Sequence, residues 1–409
     1  MNNKVRFSIM MFLQYAIWGA WTTALGAHLE KIGFTGTEIA AIYGCMWLAC
    51  ILAPFIGGQV ADRLMQSQQF LGFAHIAGSF LLYQTSIQTE FAPMWWYMMA
   101  HCLLYAPTLV LTNSICFRHL GNADEEFGKI RVWGAIGWIA IGWIVTFVRS
   151  NWQTENLTGM SDLLVIAAAV SLIMGIYSFS LPKTEPVKNS QDPLAFIKAF
   201  GMLKDRNFLI FKLVAFVVTT EMQFYYIPTG PFLLDMGATE AWLTATKTVA
   251  QISEVIVLTF LLHVAIKKIG MRWTMFIGIM AWPLRYLLFT IPSLPIIVAA
   301  LSLHGFGYAF FMVTGNIYTN KKASDDMRAS AQALFIFATW GMGNYLGTLF
   351  TGYIWDTFKT PTGETIWWQF FLVPATLCII MGIVFLVFFR DDPKAVSYTH
   401  LTLPTIYSV

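Results

Sequence analysis

The stretch Lys247-Thr-Val-Ala-Gln251-Ile-Ser-Glu254-Val-Ile-Val-Leu-Thr-Phe-Leu-Leu-His-Val-Ala-Ile266 decides the class of this chain. At about 1.5 Å per residue, roughly 20 apolar residues cross a bilayer as one helix. The stretch meets that length, yet it holds a carboxylate, Glu254, well inside. A charge at that depth is costly, so it must face protein or a wet cavity. Gln251, three residues earlier, shares its helical face. A carboxylate beside an amide at membrane depth reads as a polar ligand site that can also hold a proton. The competing reading is an interhelical hydrogen bond that only glues the bundle.

The rest of the composition agrees with a membrane chain. Of 409 residues, 57% are hydrophobic and 11% charged, against roughly 25% charged in a soluble domain. Mean hydropathy is +0.61. The net charge of +3 comes without a basic patch of interleaved aromatics, so no nucleic-acid partner is expected. Cys45, Cys50, Cys102, Cys116 and Cys378 all fall in apolar spans and form no CxxC pair. The histidines show no HExxH spacing, so neither a disulfide framework nor a metal site nor a cofactor is expected. The opening Met1-Asn-Asn-Lys4-Val-Arg6 leads into a span containing Gln14 and reads as a first membrane helix, not a cleaved signal.

Apolar windows cut at charges and at Gly/Pro turns give twelve candidate spans. The first six lie near 6–29, 37–61, 70–88, 93–117, 129–149 and 161–181, and the second six near 208–233, 241–266, 272–292, 295–319, 328–355 and 367–389. This predicts an all-α membrane protein of two pseudo-symmetric six-helix halves, 1–181 and 208–390, joined by a polar linker, 182–207. The tail 391–409 has no apolar period and reads as disordered or foreign to the fold. With the N-terminus inside, most Lys and Arg fall on one face, from Lys4 and Arg6 through Lys183, Lys204 and Arg206 to Arg390 and Lys394. The other face holds Lys31, Arg149, Lys247 and Lys359, so both termini and the linker are expected in the cytoplasm.

Six plus six spans around a basic linker resemble the major facilitator superfamily. Gly58-Gln-Val-Ala-Asp62-Arg63, after the second span, resembles its GxxxD[RK] conformational motif. Further pieces are similar to the bacterial nucleoside:proton symporters of that superfamily. They are Phe12-Leu-Gln14-Tyr-Ala-Ile-Trp18-Gly-Ala-Trp21, Tyr105-Ala-Pro107-Thr-Leu, Ile130-Arg131-Val-Trp133-Gly-Ala-Ile-Gly137, Gln251-Ile-Ser-Glu254, Ala281-Trp-Pro-Leu-Arg285 and Arg328-Ala-Ser-Ala-Gln332. They occur in order across nearly all of 5–390. The resemblance implies a nucleoside bound between the halves, with Arg131, Trp138, Gln223, Gln251 and Glu254 on the family's functional positions. Three positions depart from the family pattern: Ala135, Tyr226 and Ala309.

Taken singly, Arg131 beside Lys129 reads either as a membrane-face anchor or as a donor to ribose or base that pairs with Glu254 when no substrate is bound. Gln14 and Gln223 lie in the first helix of each half, where repeat symmetry would set them on opposite walls of one cavity. Each amide suits a nucleobase edge and equally suits interhelical glue. Trp138, Tyr226 and Tyr308 are stacking candidates in a chain with 16% aromatics, most of which must be packing. Glu221 and His304 are rival proton carriers. Arg285, after Pro283, reads as a packing residue near a membrane face. Gly134, Gly137 and Gly142, and Gly341, Gly343, Gly347 and Gly352, read as small-residue contact faces.

Together these readings predict a monomeric transporter in a bacterial inner membrane that moves a nucleoside inward with a proton. Its nucleoside-binding residues would be Gln14, Arg131, Trp138, Gln223, Tyr226, Gln251, Glu254 and Tyr308, with Glu254 the proton-coupling group and Gly58, Asp62 and Arg63 the conformational motif. A symporter or facilitator of sugars or other small polar solutes is the alternative in the same fold. A membrane enzyme would need a ligand cluster or activated nucleophile that the sequence does not contain.

Overall fold

A computed structural model describes residues 2–60, 65–121, 123–151, 160–185, 195–324 and 327–390. Helices dominate: among the described residues the sole β-pairing is one bridge between Lys359 and Thr365. Among the described residues, seven helices are long and apolar enough to cross a membrane. The described residues form two compact units, which draw on Met1–Pro193 with Thr239–Ala245 and on Leu194–Ala238 with Thr246–Leu401.

The first unit contains α1 (Asn3–Thr22), α2 (Leu25–Lys31), α3 (Gly36–Val60), α4 (Ser67–Ser86), α5 (Phe91–His119), α6 (Ala123–Asn151) and α7 (Asp162–Ser178). Local chemistry sets the boundaries. Asn2 caps α1 by accepting from Lys4 N at 3.1 Å. A capping box starts α3: Thr35 N donates to Glu38 Oε2 at 2.9 Å, and Glu38 N donates back to Thr35 Oγ1 at 3.2 Å. Small residues let α1 and α6 approach closely. A side chain at Gly137 would run into the Phe12 carbonyl, and one at Gly134 would meet Tyr15.

The second unit contains α8 (Ala195–Lys198), α9 (Arg206–Tyr226), α10 (Thr229–Asp235), most of α11 (Leu243–Ile256), α12 (Leu262–Phe289), α13 (Leu294–Leu301), α14 (Leu303–Gly307), α15 (Thr314–Lys322), α16 (Arg328–Ile336), α17 (Asn344–Thr357) and α18 (Trp367–Phe388). Asp205 caps α9 by accepting from Phe208 N at 2.9 Å. The long run α11–α12 is kinked at Gly270, whose φ of 79° suits glycine. This is where the sequence separates its spans 241–266 and 272–292. Gly347 lies against the Thr220 backbone, so the glycine face expected in the eleventh span is a contact with α9.

The units repeat one design. Each opens with a broken helix, α1–α2 in one and α9–α10 in the other, and each break is followed by the same cap. Gly33 and Gly237 adopt φ of 95° and 93°. Phe34 N donates to Leu29 O at 3.0 Å, and Ala238 N donates to Leu233 O at 2.9 Å, which is the Schellman pattern. They differ in one respect. The second unit contains three π-helical turns, Val257–Leu261, Tyr308–Val313 and Phe337–Gly343, and the described part of the first has none.

Large apolar side chains also cover the outside. Trp96, Val110, Phe260 and Tyr353 are 66–67% exposed. Such a surface would be costly in water and suits hydrocarbon. Pro107, Pro283 and Pro374 lie inside helices, as membrane helices tolerate.

Candidate functional site

In the second unit the site is built on one face of α11. Lys247, Gln251 and Glu254 follow one another at helical spacing, four residues and then three. Gln251 Oε1 is buried without a hydrogen-bond partner. Lys247 lies on the side opposite the cytoplasm in the sequence reading. It is nonetheless only 4% exposed, and its ammonium donates to Tyr226 O at 3.4 Å. Glu254 Oε2 lies 3.8 Å from His304 Nε2.

His304 is the hub of this face. Tyr225, Tyr226, Trp282 and Tyr308 surround its ring at centroid distances of 5.2, 5.9, 5.4 and 6.0 Å. Arg285 Nη1 lies 3.5 Å from its Nδ1. A guanidinium nitrogen can only donate, so Nδ1 accepts and the ring proton sits on Nε2, toward Glu254. Arg285 is fully buried, with its guanidinium carbon 4.1 Å from the Tyr225 ring centre and 4.7 Å from those of Trp282 and Tyr286. The sequence reading put this arginine near a membrane face and outside the site; the structure puts it in the interior beside His304. Its apolar neighbours and Pro283, two residues before it, give no local sign of that position.

Gln223 is fully buried on α9 and turned toward α17. Its Nε2 donates to Asn344 Oδ1 at 2.7 Å, and Thr348 Oγ1 lies 3.5 Å from its Oε1. Glu221, two residues earlier, faces Arg285, Tyr286 and Cys378 instead. Asn344, Thr348 and Lys247 are additions to the residues named from sequence. Only Lys247 carried a signal, its spacing ahead of Gln251 and Glu254.

In the first unit, Arg131 and Trp138 lie on α6 against α1. The Arg131 guanidinium carbon is 4.0 Å from the Tyr15 ring centre. Trp138 lies over Gly19, with its ring edge-on to Trp18 at 5.6 Å. Arg131 Nε and Trp138 Nε1 are buried donors without hydrogen-bond partners. Gln14 differs. It is fully buried, its Nε2 donates to Thr108 Oγ1 at 2.8 Å, and its Oε1 accepts from His75 Nε2 at 2.9 Å. Both ends of the amide are spent inside the unit, which makes Gln14 a tie between α1, α4 and α5. In the conformational motif, Gly58 belongs to α3, while Asp62 and Arg63 lie outside the described residues. Among the described residues no group of His, Cys, Asp and Glu could hold a metal ion.

Comparison with known proteins places the chain. Residues 1–394 match the family described as "Nucleoside H+ symporter". YegT of Escherichia coli (strain K12) is 31% identical over 411 residues, covering 97% of this chain and 96% of that protein. Nucleoside permease NupG of the same organism is 28% identical over 426 residues, 99% of this chain and 98% of NupG. The crystal structure of nucleoside transporter NupG superposes with a TM-score of 0.84 at 27% identity, covering 96% of this chain and 100% of that one. The fold is the all-helical one of major facilitator transporters.

Proposed function

Because the chain belongs to the nucleoside H+ symporter family, we propose that it imports nucleosides with protons, as a monomer in a bacterial cytoplasmic membrane with both termini inside. The α11 face carries this reading. An unpartnered amide oxygen on Gln251 stands beside the ionisable Glu254, so one surface offers a hydrogen bond to a polar solute and a place for a proton. Gln251, Glu254, Gln223, Tyr226 and Tyr308 are assigned to nucleoside contact from the second unit. Arg131 and Trp138, with their unpartnered donors, are assigned from the first. Gln14 is left out because both ends of its amide are held by short bonds, at 2.8 and 2.9 Å, whereas the contact of Thr348 Oγ1 with the Gln223 oxygen is longer, at 3.5 Å.

Glu254 is assigned the coupling proton. At about 100 mV one proton supplies about 2.3 kcal/mol, enough for roughly 50-fold accumulation. Residues 1–181 and 208–390 are taken as the two halves, 182–207 as the linker and 391–409 as a tail outside the fold. The test is uptake of labelled uridine and adenosine into proteoliposomes, with and without an imposed pH gradient. Accumulation driven by the gradient is expected. Uptake of a sugar in place of either nucleoside would reject the assignment.

A further inference from the structure

A chain of polar contacts runs through the second unit from Glu254 to the main-chain carbonyl of a second acid, Glu221. It passes from Glu254 to His304 at 3.8 Å, and from His304 to Arg285 at 3.5 Å. Arg285 Nη2 then donates to Tyr286 OH at 2.9 Å, and that hydroxyl donates to Glu221 O at 3.1 Å. Glu221 and Arg285 are both fully buried. Arg285 Nε is a buried donor without a hydrogen-bond partner. A guanidinium keeps its charge in a protein, so a buried one needs a counter-charge. Glu221 is the acid that faces it from α9, with Cys378 of α18 and Tyr286 of α12 beside that acid.

We propose that Arg285, whose charge is partly offset by the buried acid Glu221, is a positioning residue that governs through His304 whether Glu254 carries a proton, and thereby sets the pH range over which transport is proton-driven. The inference rests on the assignment of the coupling proton to Glu254. His304 from α14 and Tyr225 and Tyr226 from α9 face Glu254, while Arg285 from α12 and Lys247 from the helix of Glu254 itself act on His304. Of these, only Arg285 is both fixed in charge and bonded to the ring that meets the carboxylate. Its field favours the ionised carboxylate, and Glu221 offsets part of that field. Across one imidazole ring, at an effective dielectric near ~20, such an interaction amounts to about one pH unit.

The two single substitutions should therefore act in opposite directions. In proteoliposomes, Arg285→Gln should move the midpoint of the pH profile of nucleoside uptake up by about one unit. Glu221→Gln should move it down by a smaller amount, and the double variant should fall between Arg285→Gln and wild type. Nucleoside affinity, measured at a pH where each variant is fully competent, should stay within about twofold of wild type. Midpoints that stay put, or that move in the same direction, would overturn the proposal.

Removing one of two buried opposite charges can prevent folding, so a second measurement uses the wild-type protein. In nitrogen NMR of histidine-labelled protein, with His304 assigned through the signal lost in His304→Gln, the neutral ring should carry its proton on Nε2. A proton on Nδ1 would sever the link to Arg285 and end the proposal. If the wild type moves no nucleoside at all, the proposed function fails instead, and the NMR result still decides whether Arg285 holds the ring.

Discussion

The sharpest consequence of the structure is that two glutamines of similar appearance should fail in different ways when removed. Gln14→Ala deletes two buried interhelical hydrogen bonds, to Thr108 at 2.8 Å and from His75 at 2.9 Å. Bonds of this kind inside membrane bundles are worth about 0.6–1.7 kcal/mol each, so the substitution should cost about 1–3 kcal/mol of stability. The Tyr105 hydroxyl, which donates to the Gln14 backbone carbonyl at 2.6 Å, keeps its partner, which limits the damage. Nucleoside affinity of the folded fraction should be unchanged within about twofold. Gln251→Ala removes an oxygen that has no protein partner, so thermal stability should barely move. Affinity should fall by about 1–3 kcal/mol, roughly 5- to 150-fold, because a ligand group loses its partner. The assay pairs thermal unfolding in detergent with nucleoside titration by tryptophan fluorescence on both variants. If Gln14→Ala loses affinity at full stability, or Gln251→Ala loses stability at full affinity, the assignment of glue and site is reversed.

Other substitutions test separate parts of the structure. Gly137→Val should abolish accumulation of folded protein, because its side chain would enter the Phe12 backbone; normal yield with a wild-type melting curve would show that α1 and α6 are not held so close. For Asp205, partial burial pushes the carboxyl up, but the Lys322 ammonium at 2.9 Å and the Phe208 N–H together hold it below the ordinary carboxylate range. A depressed acid contributes stability above its unfolded value near ~4 and loses it as pH falls through the lower folded value. The deficit of Asp205→Asn in melting temperature should therefore be present at pH 7 and shrink on acidification, and a deficit that grows toward acid would contradict the pairing. Glu254→Gln should retain nucleoside counterflow while losing accumulation driven by a pH gradient; undiminished accumulation would move the coupling proton to another group.

Much of this was legible in the sequence because it depends on local spacing. The Gln251–Glu254 face needs only helical periodicity, and the span boundaries need only composition and glycine turns. The partners of the buried amides were not legible for the opposite reason. Gln14 bonds to residues 61 and 94 positions away, and Gln223 to residues 121 and 125 positions away. Nothing local distinguishes an amide spent on such contacts from one open to a ligand. Arg285 reads from sequence as a packing residue near a membrane face, and its full burial follows from the rings of Tyr225, Trp282 and Tyr286 around it, the first of them on another helix.

The π turns add a physical reason why one unit carries this polar network. A π turn accommodates an extra residue, so the helix beyond it presents a face rotated by about 100° from simple periodicity. It also disturbs the backbone ladder. In the turn Tyr308–Val313, Thr314 Oγ1 donates to Ala309 O at 3.4 Å, a side chain answering a main-chain carbonyl. All three turns border polar positions of the second unit: Glu254 lies just before one, Tyr308 opens the next, and Asn344 follows the third. The described part of the first unit shares the broken opening helix but has no such turn, and its buried amide Gln14 is bonded at both ends. The repeat therefore supplies the same scaffold twice. In the second copy Lys247, Glu254, Arg285 and Glu221 place two buried cations and two buried or partly buried acids within a single bundle. A balanced set of charges can gain or lose one proton without leaving several charges unpaired, which gives proton handling a physical home in the second unit.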